Sequence, residues 1–330
     1  MSLSSVSVNP RVCHTGVETP YALAKENFSG SVNVDYLGIT FHDTSILDDI
    51  LCSFGTDWVS LPYGRMGYKN AFTDGGITVY SGGTDAMGVH VVASGKGCRQ
   101  LEAKGIVSDW SSWFGAKINA GCTFSRIDLA LDDFDGLIVK DKVFKSARSG
   151  EICHRFKSVS LNENMTSSGI QSGWKVAFGS RGSSSYLRIY DKGAEQSLQG
   201  HWSRVELELR NKRALACARF IASYGLVASK GLIASAIDFK AVNHEHKYRT
   251  SSVKWWADFL QGVQKVKLSV KVVTRTLSQV KTWVNTQCGS MLAVIVEAEG
   301  GSLDFLINSI TAGKNRFKQK HHDLLYQSGF

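Results

Sequence analysis

The chain is poor in proline, with only three in 330 residues, which argues against long disordered proline-rich linkers. It has no apolar run near the roughly 20 residues that cross a bilayer. Met1 to Pro10 is polar and serine-rich, without the basic-then-apolar order of a secretory leader. These absences point to a cytoplasmic protein with no membrane partner. The seven cysteines are odd in number and dispersed, with no Cys-x-x-Cys pair and no His/Cys ligand spacing. A zinc ribbon or a complete disulfide framework is disfavoured, and reduced thiols are the simplest expectation. Ser94-Gly95-Lys96-Gly97 is glycine-rich but does not match Gly-x-x-x-x-Gly-Lys-Ser/Thr, so the chain carries no nucleotide-hydrolysis signature.

What is present is an ordinary globular composition, 43% hydrophobic and 20% charged, with a net charge of +9. Its length allows two domains, or one large domain with an appendage. The charge is unevenly placed: residues 211–330 hold 17 Lys and Arg against 7 Asp and Glu, which leaves residues 1–210 near neutral. A local positive excess suits a polyanion such as DNA, because phosphate contacts dominate non-specific affinity. The plainer alternative is a solvated basic surface that maintains solubility.

Residues 1–30 read as a weakly structured lead-in. Alternation predicts strands at Val34–Phe41, Ile77–Tyr80, Val89–Ala93, Phe124–Asp132, Trp174–Gly179, Ser185–Asp191 and Trp202–Arg210. Helices are expected at Ile46–Phe54, Gln100–Gly105 and Lys142–Ser149. After Lys212 the character turns helical, through Ala214–Tyr224, Val253–Val266, Val270–Asn285 and Leu303–Ile310. Trp255 and Trp256, spaced with Phe259 and Leu260, read as core rather than as a base-stacking platform. The organisation is an α+β domain over 31–212 followed by a mostly helical, basic segment over 213–330.

Three alternating segments carry the chemistry. Arg126-Ile127-Asp128-Leu129-Ala130-Leu131-Asp132-Asp133 shows Arg126, Asp128 and Asp132 on one face. Leu187-Arg188-Ile189-Tyr190-Asp191-Lys192 shows Arg188, Tyr190 and Lys192, with Tyr186 on the same side. Arg204-Val205-Glu206-Leu207-Glu208-Leu209-Arg210 shows Arg204, Glu206, Glu208 and Arg210. Asp128, Asp132, Glu206 and Glu208 are hard oxygen donors suited to Mg²⁺ or Mn²⁺; the alternative is that they form surface ion pairs and a turn. A phenol titrates near 10 and is a poor nucleophile. Arg188 and Lys192 on either side of Tyr190 would favour the phenolate and neutralise a phosphate. Periodicity alone does not separate Tyr190 from Tyr186. His42 and His90 read as structural histidines rather than ligands.

At these residues the chain resembles the phage and plasmid replication-initiation factors of the rolling-circle type. The matching stretches run from Asp35-Tyr36-Leu37 through Gly88-Val89-His90, Ser94–Arg99 and Arg126–Asp133 to Phe178-Gly179-Ser180-Arg181, Leu187–Gln196 and Trp202–Glu208. The resemblance implies an antiparallel-sheet nicking domain distantly like that of the His-hydrophobic-His endonucleases, although a full His-hydrophobic-His pair is absent here. It implies a metal-dependent enzyme that nicks one strand at an origin through a tyrosine, leaving a 5′-phosphotyrosine and a free 3′-hydroxyl, and later rejoins ends. The family's Tyr-x-Lys-x-x-Glu falls on Tyr190, Lys192 and Glu195, which raises Tyr190 above Tyr186. The expected catalytic residues are Tyr190, Arg188 and Lys192, and the expected metal ligands are Asp128, Asp132, Glu206 and Glu208. Expected partners are origin DNA (its single-stranded nick site and flanking duplex), a second copy of the chain, and a host helicase or polymerase. Two rival readings stand beside this one: a non-enzymatic phage DNA-binding regulator that kept the fold, and a hydrolytic metal nuclease in which Tyr190 only packs.

Overall fold

In the computed structural model the alternation of β6 (Thr123–Asp133) organises the centre of the molecule. Its Ile127, Leu129 and Leu131 enter the apolar core, while Arg126, Asp128 and Asp132 take the opposite face. The structure describes residues 30–241, 249–263, 265–266, 268 and 277–317, with the single positions 25, 321, 322 and 325. The lead-in expected over 1–30 therefore lies almost wholly outside the described residues. The chain divides into two compact units, Met1–Ser269 and Val270–Phe330.

The first unit is built on β1 (Val32–Phe41), α1 (Leu47–Phe54), β2 (Val59–Ser60), β3 (Asn70–Asp74), β4 (Ile77–Ser81), β5 (Val89–Ala93), α2 (Gly95–Ala103), α3 (Trp110–Asn119) and β6. It continues through α4 (Lys140–Arg148), β7 (Ile152–His154), β8 (Val159–Met165), β9 (Gln171–Phe178), β10 (Ser185–Asp191), α5 (Lys192–Glu195) and β11 (Ser203–Arg210). It ends with α6 (Lys212–Tyr224), α7 (Lys230–Ala236), β12 (Ile237–Phe239) and α8 (Lys254–Leu260). Ten strands form one antiparallel sheet in the order β2-β3-β4-β5-β1-β6-β11-β10-β9-β8, and β12 pairs with β7 separately. The α+β class expected from the sequence is what the chain adopts.

One core joins the sheet to the helices. Leu37, Ile39, Val91, Leu129, Val205 and Leu207 pack with residues of α1, α2, α3, α6 and α7. Each fully buried aliphatic side chain contributes about 1.5–3 kcal/mol relative to exposure. Helix α6 lies on α3 and across β6 and β11, and α7 also meets β11, so these two helices, grouped from the sequence with the C-terminal segment, pack with the sheet in this unit. Trp256 is fully buried, in keeping with the core reading.

Several helix limits differ from the sequence reading. Helix α2 starts at Gly95 rather than Gln100, because the Ser94 side chain accepts from Gly97 N and caps it. Helix α3 was not foreseen; its cap is Asp109, whose side chain accepts from Ser112 N at 2.8 Å. The helix expected over Val253–Val266 ends at Leu260, where Gln261 turns left-handed with φ 53°. In the second unit, α9 (Leu277–Ala298) and α10 (Asp304–Lys314) replace the expected Val270–Asn285 and Leu303–Ile310; residues 270–276 lie outside the described residues. Among the described residues no helix is long and apolar enough to cross a membrane. Cys52, Cys98, Cys122, Cys217 and Cys288 carry free thiols.

Candidate active site

Three neighbouring strands project their even-numbered side chains onto one face. Across β11 and β6 the register sets Arg204 opposite Asp132, Glu208 opposite Asp128, and Arg210 opposite Arg126. Across β10 and β11 it sets Tyr190, Arg188 and Tyr186 opposite Arg204, Glu206 and Glu208. The ionisable array is buried, with Asp128, Asp132, Arg204, Glu206 and Glu208 no more than 4% exposed. Charges withdrawn from water need partners of opposite sign with good geometry. Most of this face supplies them as interlocked arginine–carboxylate pairs.

Arg204 holds Asp132 through Nε to Oδ1 at 2.7 Å and Nη2 to Oδ2 at 2.9 Å. Trp202 Nε1 donates to the same Oδ1 at 2.6 Å. The other arm of Arg204, Nη1, lies 2.7 Å from Asp35 Oδ1. Asp35 reaches this face because the β1–β6 register shifts between Val34 and Tyr36. Simple alternation would have sent it inward with Leu37 and Ile39, so strand periodicity does not mark it. Arg126 donates to Asp128 through Nε at 2.8 Å and Nη2 at 2.5 Å, lies 2.8 Å from Glu208, and stacks 4.1 Å over the Tyr36 ring. Arg210 Nε donates to Glu208 at 2.5 Å.

Two carboxyls meet at the centre. Asp128 and Glu206 hydrogen-bond each other. Glu206 Oε2 accepts from the Tyr190 hydroxyl at 2.9 Å, and Oε1 is paired with Arg188. Burial, seconded by the neighbouring Glu206, pushes Asp128 well above the usual carboxylate range against the pull of Arg126. Burial acts on Glu206 as well, but Arg188 and the bond with Asp128 outweigh it and hold Glu206 low. The two acids are thus pushed in opposite directions, and their titrations are linked. Burial and the Glu206 charge together push the Tyr190 phenol up.

The four carboxylates expected as metal ligands thus divide. Asp128 and Glu206 stand together beside Tyr190, whereas Asp132 and Glu208 are taken up by Arg204, Arg126 and Arg210. Among the described residues no group of three or more His, Cys, Asp or Glu is gathered around a common point. Two adjacent hard oxygen donors still suit Mg²⁺ or Mn²⁺, which commonly take one or two carboxylates and complete their shell with water and substrate phosphate.

The Tyr190 ring lies between two cations, with Arg188 at 5.6 Å and Lys192 at 5.7 Å from its centre. Lys192 pairs with Glu195 one turn along α5, whose start is capped by Asp191 accepting from Ala194 N at 2.8 Å. A pocket of about 280 Å³ adjoins Tyr190, walled by Asn162, Asn164, Trp174 and Lys175. Tyr186 lies opposite Glu208 with Arg181 over its ring. His90 is buried, bonded through Nδ1 to Thr40 Oγ1 at 2.8 Å and stacked on Tyr68 and Tyr80; burial lowers its pKa. His42 Nε2 is 3.2 Å from Thr123 Oγ1.

Comparison with known proteins gives a consistent result. Residues 122–310 match the family model described as "Replication initiation factor", and residues 31–116 match "Rolling Circle replication initiation protein N-terminal domain". A protein of Bacillus subtilis (strain 168) named "Putative DNA relaxase NicK" is 29% identical over 292 residues, covering 81% of each chain. The solved rolling circle replication initiator protein from Geobacillus stearothermophilus superposes with a TM-score of 0.63 at 27% identity, over 73% of this chain and 99% of that one.

Proposed function

The chain belongs to the replication initiation factor family, as a DNA-nicking enzyme of rolling-circle replication, and we propose that it cuts one strand at an origin with Tyr190 as the nucleophile. The observation that carries this reading is the hydrogen bond from the Tyr190 hydroxyl to Glu206, itself bonded to Asp128. An ordinary packing tyrosine needs neither a carboxylate acceptor nor two flanking cations.

Glu206 takes the phenolic proton as the Tyr190 oxygen attacks phosphorus in line. The new bond joins the Tyr190 oxygen to phosphorus, the bond to the 3′-oxygen breaks, and that oxygen takes a proton from solvent water to leave as a free 3′-hydroxyl. The 5′-phosphate remains on the tyrosine, so reversal of the same step rejoins ends. Arg188 and Lys192 stabilise the charge that develops on the phosphate. Asp128 and Glu206 would hold Mg²⁺ or Mn²⁺, which supplies charge neutralisation at a non-bridging phosphate oxygen. Asp132 and Glu208 position their arginines, which fix the sheet face around the pair.

Origin DNA is the partner this chemistry requires, with the pocket beside Tyr190 open to single strand and the basic residues after 211 suited to flanking duplex. A homodimer and recruitment of a host helicase or polymerase complete the reading. Exposed Met291, Val294, Phe305, Ile307 and Ile310 on α9 and α10 support a protein partner for that unit.

The test is incubation of the protein with Mn²⁺ and single-stranded oligonucleotides tiling its replicon, resolved on a denaturing gel. A covalent adduct is expected from wild type and Tyr186→Phe and is lost in Tyr190→Phe. Cleavage without an adduct would favour the hydrolytic nuclease. Binding without cleavage, on supercoiled origin as well, would favour the regulator.

A further inference from the structure

A second pocket lies on the side of the sheet away from Tyr190. Leu207 and Leu209 form its floor, and they alternate along β11 with Glu206 and Glu208, which face the tyrosine. Its volume is about 380 Å³, within the range of small-molecule sites. Its cationic residues are Arg155, Lys157 and Arg213, and no aspartate or glutamate lines it. All three are exposed. On the opposite face Arg126, Arg188, Arg204 and Arg210 are each paired with carboxylates, and this cavity contrasts with that arrangement.

Two further features favour an anion there. Arg213 belongs to the first turn of α6, a turn with Lys212 and no acidic residue, and its cap residue Asn211 makes no side-chain cap bond. Cations at a helix N-terminus oppose the helix dipole, and a bound anion would relieve that repulsion. Next, Ser184 Oγ accepts from Arg213 Nε at 3.2 Å, which leaves its own hydroxyl proton to give. Ser184 follows Gly179-Ser180-Arg181 in the β9–β10 turn, a stretch the nicking chemistry leaves unused. The Ser183 hydroxyl bonds the Ser180 and Ser185 carbonyls and so holds this turn in shape. The rest of the lining is mixed, with serines such as Ser158 and Ser235 and an apolar side where Phe156 and Leu232 stand beside the leucine floor.

We infer that this cavity binds a nucleotide, its phosphate held by Arg155, Lys157, Arg213 and the Ser184 hydroxyl and its base set against Phe156 and the leucines. The ligand is either a free nucleotide or one nucleotide of a DNA strand passing behind the sheet. The site does not depend on Tyr190 being the nucleophile, and its test does not read cleavage chemistry.

The test uses the full chain and calorimetric titration with deoxyadenosine 5′-monophosphate, with deoxyadenosine as the phosphate-free control. For a free-nucleotide site, the monophosphate binds one to one, deoxyadenosine binds at least tenfold more weakly, and Arg155→Ala/Lys157→Ala weakens the monophosphate at least tenfold. For a DNA-borne nucleotide, the monophosphate titration is flat, but the same double variant lowers the slope of log affinity against log salt for a 30-nucleotide strand by about 0.7, the share of one phosphate. The charge-matched control Lys145→Ala/Arg148→Ala, on α4, leaves that slope unchanged. Arg213→Ala repeats the result from another element. A flat nucleotide titration together with equal slopes for pocket and control variants overturns the proposal.

Discussion

Asp128 and Glu206 place two acids of opposite tendency in one contact, and the consequences follow from their signs. Asp128 is raised in the folded protein, so its contribution to stability is full below the ordinary carboxylate range and is lost as pH rises through its elevated value. Glu206 is lowered, so its contribution is present above that range and is lost as pH falls through its depressed value. The metal-free protein is therefore expected to lose Tm toward alkaline pH, and Asp128→Asn, which mimics the protonated acid, to flatten that loss. Thermal melts across pH check it; an unchanged slope in the variant would be the contrary result. Mn²⁺ binding should release protons, seen by calorimetry in two buffers of different ionisation enthalpy, and should weaken at least about tenfold in Asp128→Asn. The acids, the cations and both tyrosines were legible in the sequence because strand alternation puts them on one face. Which tyrosine touches which acid was not, since Tyr186 and Tyr190 share that face and only the register decides. Asp35 was hidden by the shift in β1.

Arg204 ties three strands together, reaching Asp132 on β6 and Asp35 on β1 from its place on β11. Arg204→Leu would leave two carboxylates without their cation, and a loss of about 3–5 kcal/mol is expected in urea denaturation. A loss below about 1 kcal/mol would mean that the carboxylates protonate or find water at little cost. At Gly88, φ is 65° and an added Cβ would come within 2.0 Å of the Phe41 carbonyl oxygen, so Gly88→Ala is expected to cost at least about 1–3 kcal/mol. The strands with inward apolar residues, such as β5 and β10, were read to their ends from the sequence. Strand β8 escaped because Asn162, Glu163 and Asn164 interrupt any alternation on an exposed edge. Helix α3 carried readable signs in the Asp109 cap and in Trp110, Trp113 and Phe114 at i, i+3 and i+4, but Gly115 and Ala116 weaken the contrast between its faces. Pairing of β1 with β6 and β6 with β11 joins segments far apart in sequence, and local pattern holds no record of it.

At the scale of the whole molecule, charge and chemistry are separated. The carboxylates and their arginines balance within the sheet, while the net positive charge resides after residue 211. DNA affinity should therefore be strongly salt-dependent while the cleavage step is less so. Between about 50 and 200 mM salt, affinity for origin duplex is expected to fall roughly 10³-fold or more if six or more phosphates are contacted. Filter binding over that range checks it, and a flat response would show that the basic segment does not meet the phosphate backbone.

The central claim is that Tyr190 takes the phosphate. It is tested most directly by digesting the denatured protein–DNA adduct with nuclease and protease and locating the phosphotyrosine by mass spectrometry. The modification is expected on the peptide containing Tyr190, with its 5′-linked nucleotide remnant, and none on Tyr186. A remnant on Tyr186 or on another residue, or cleaved DNA with no modified peptide, would contradict it.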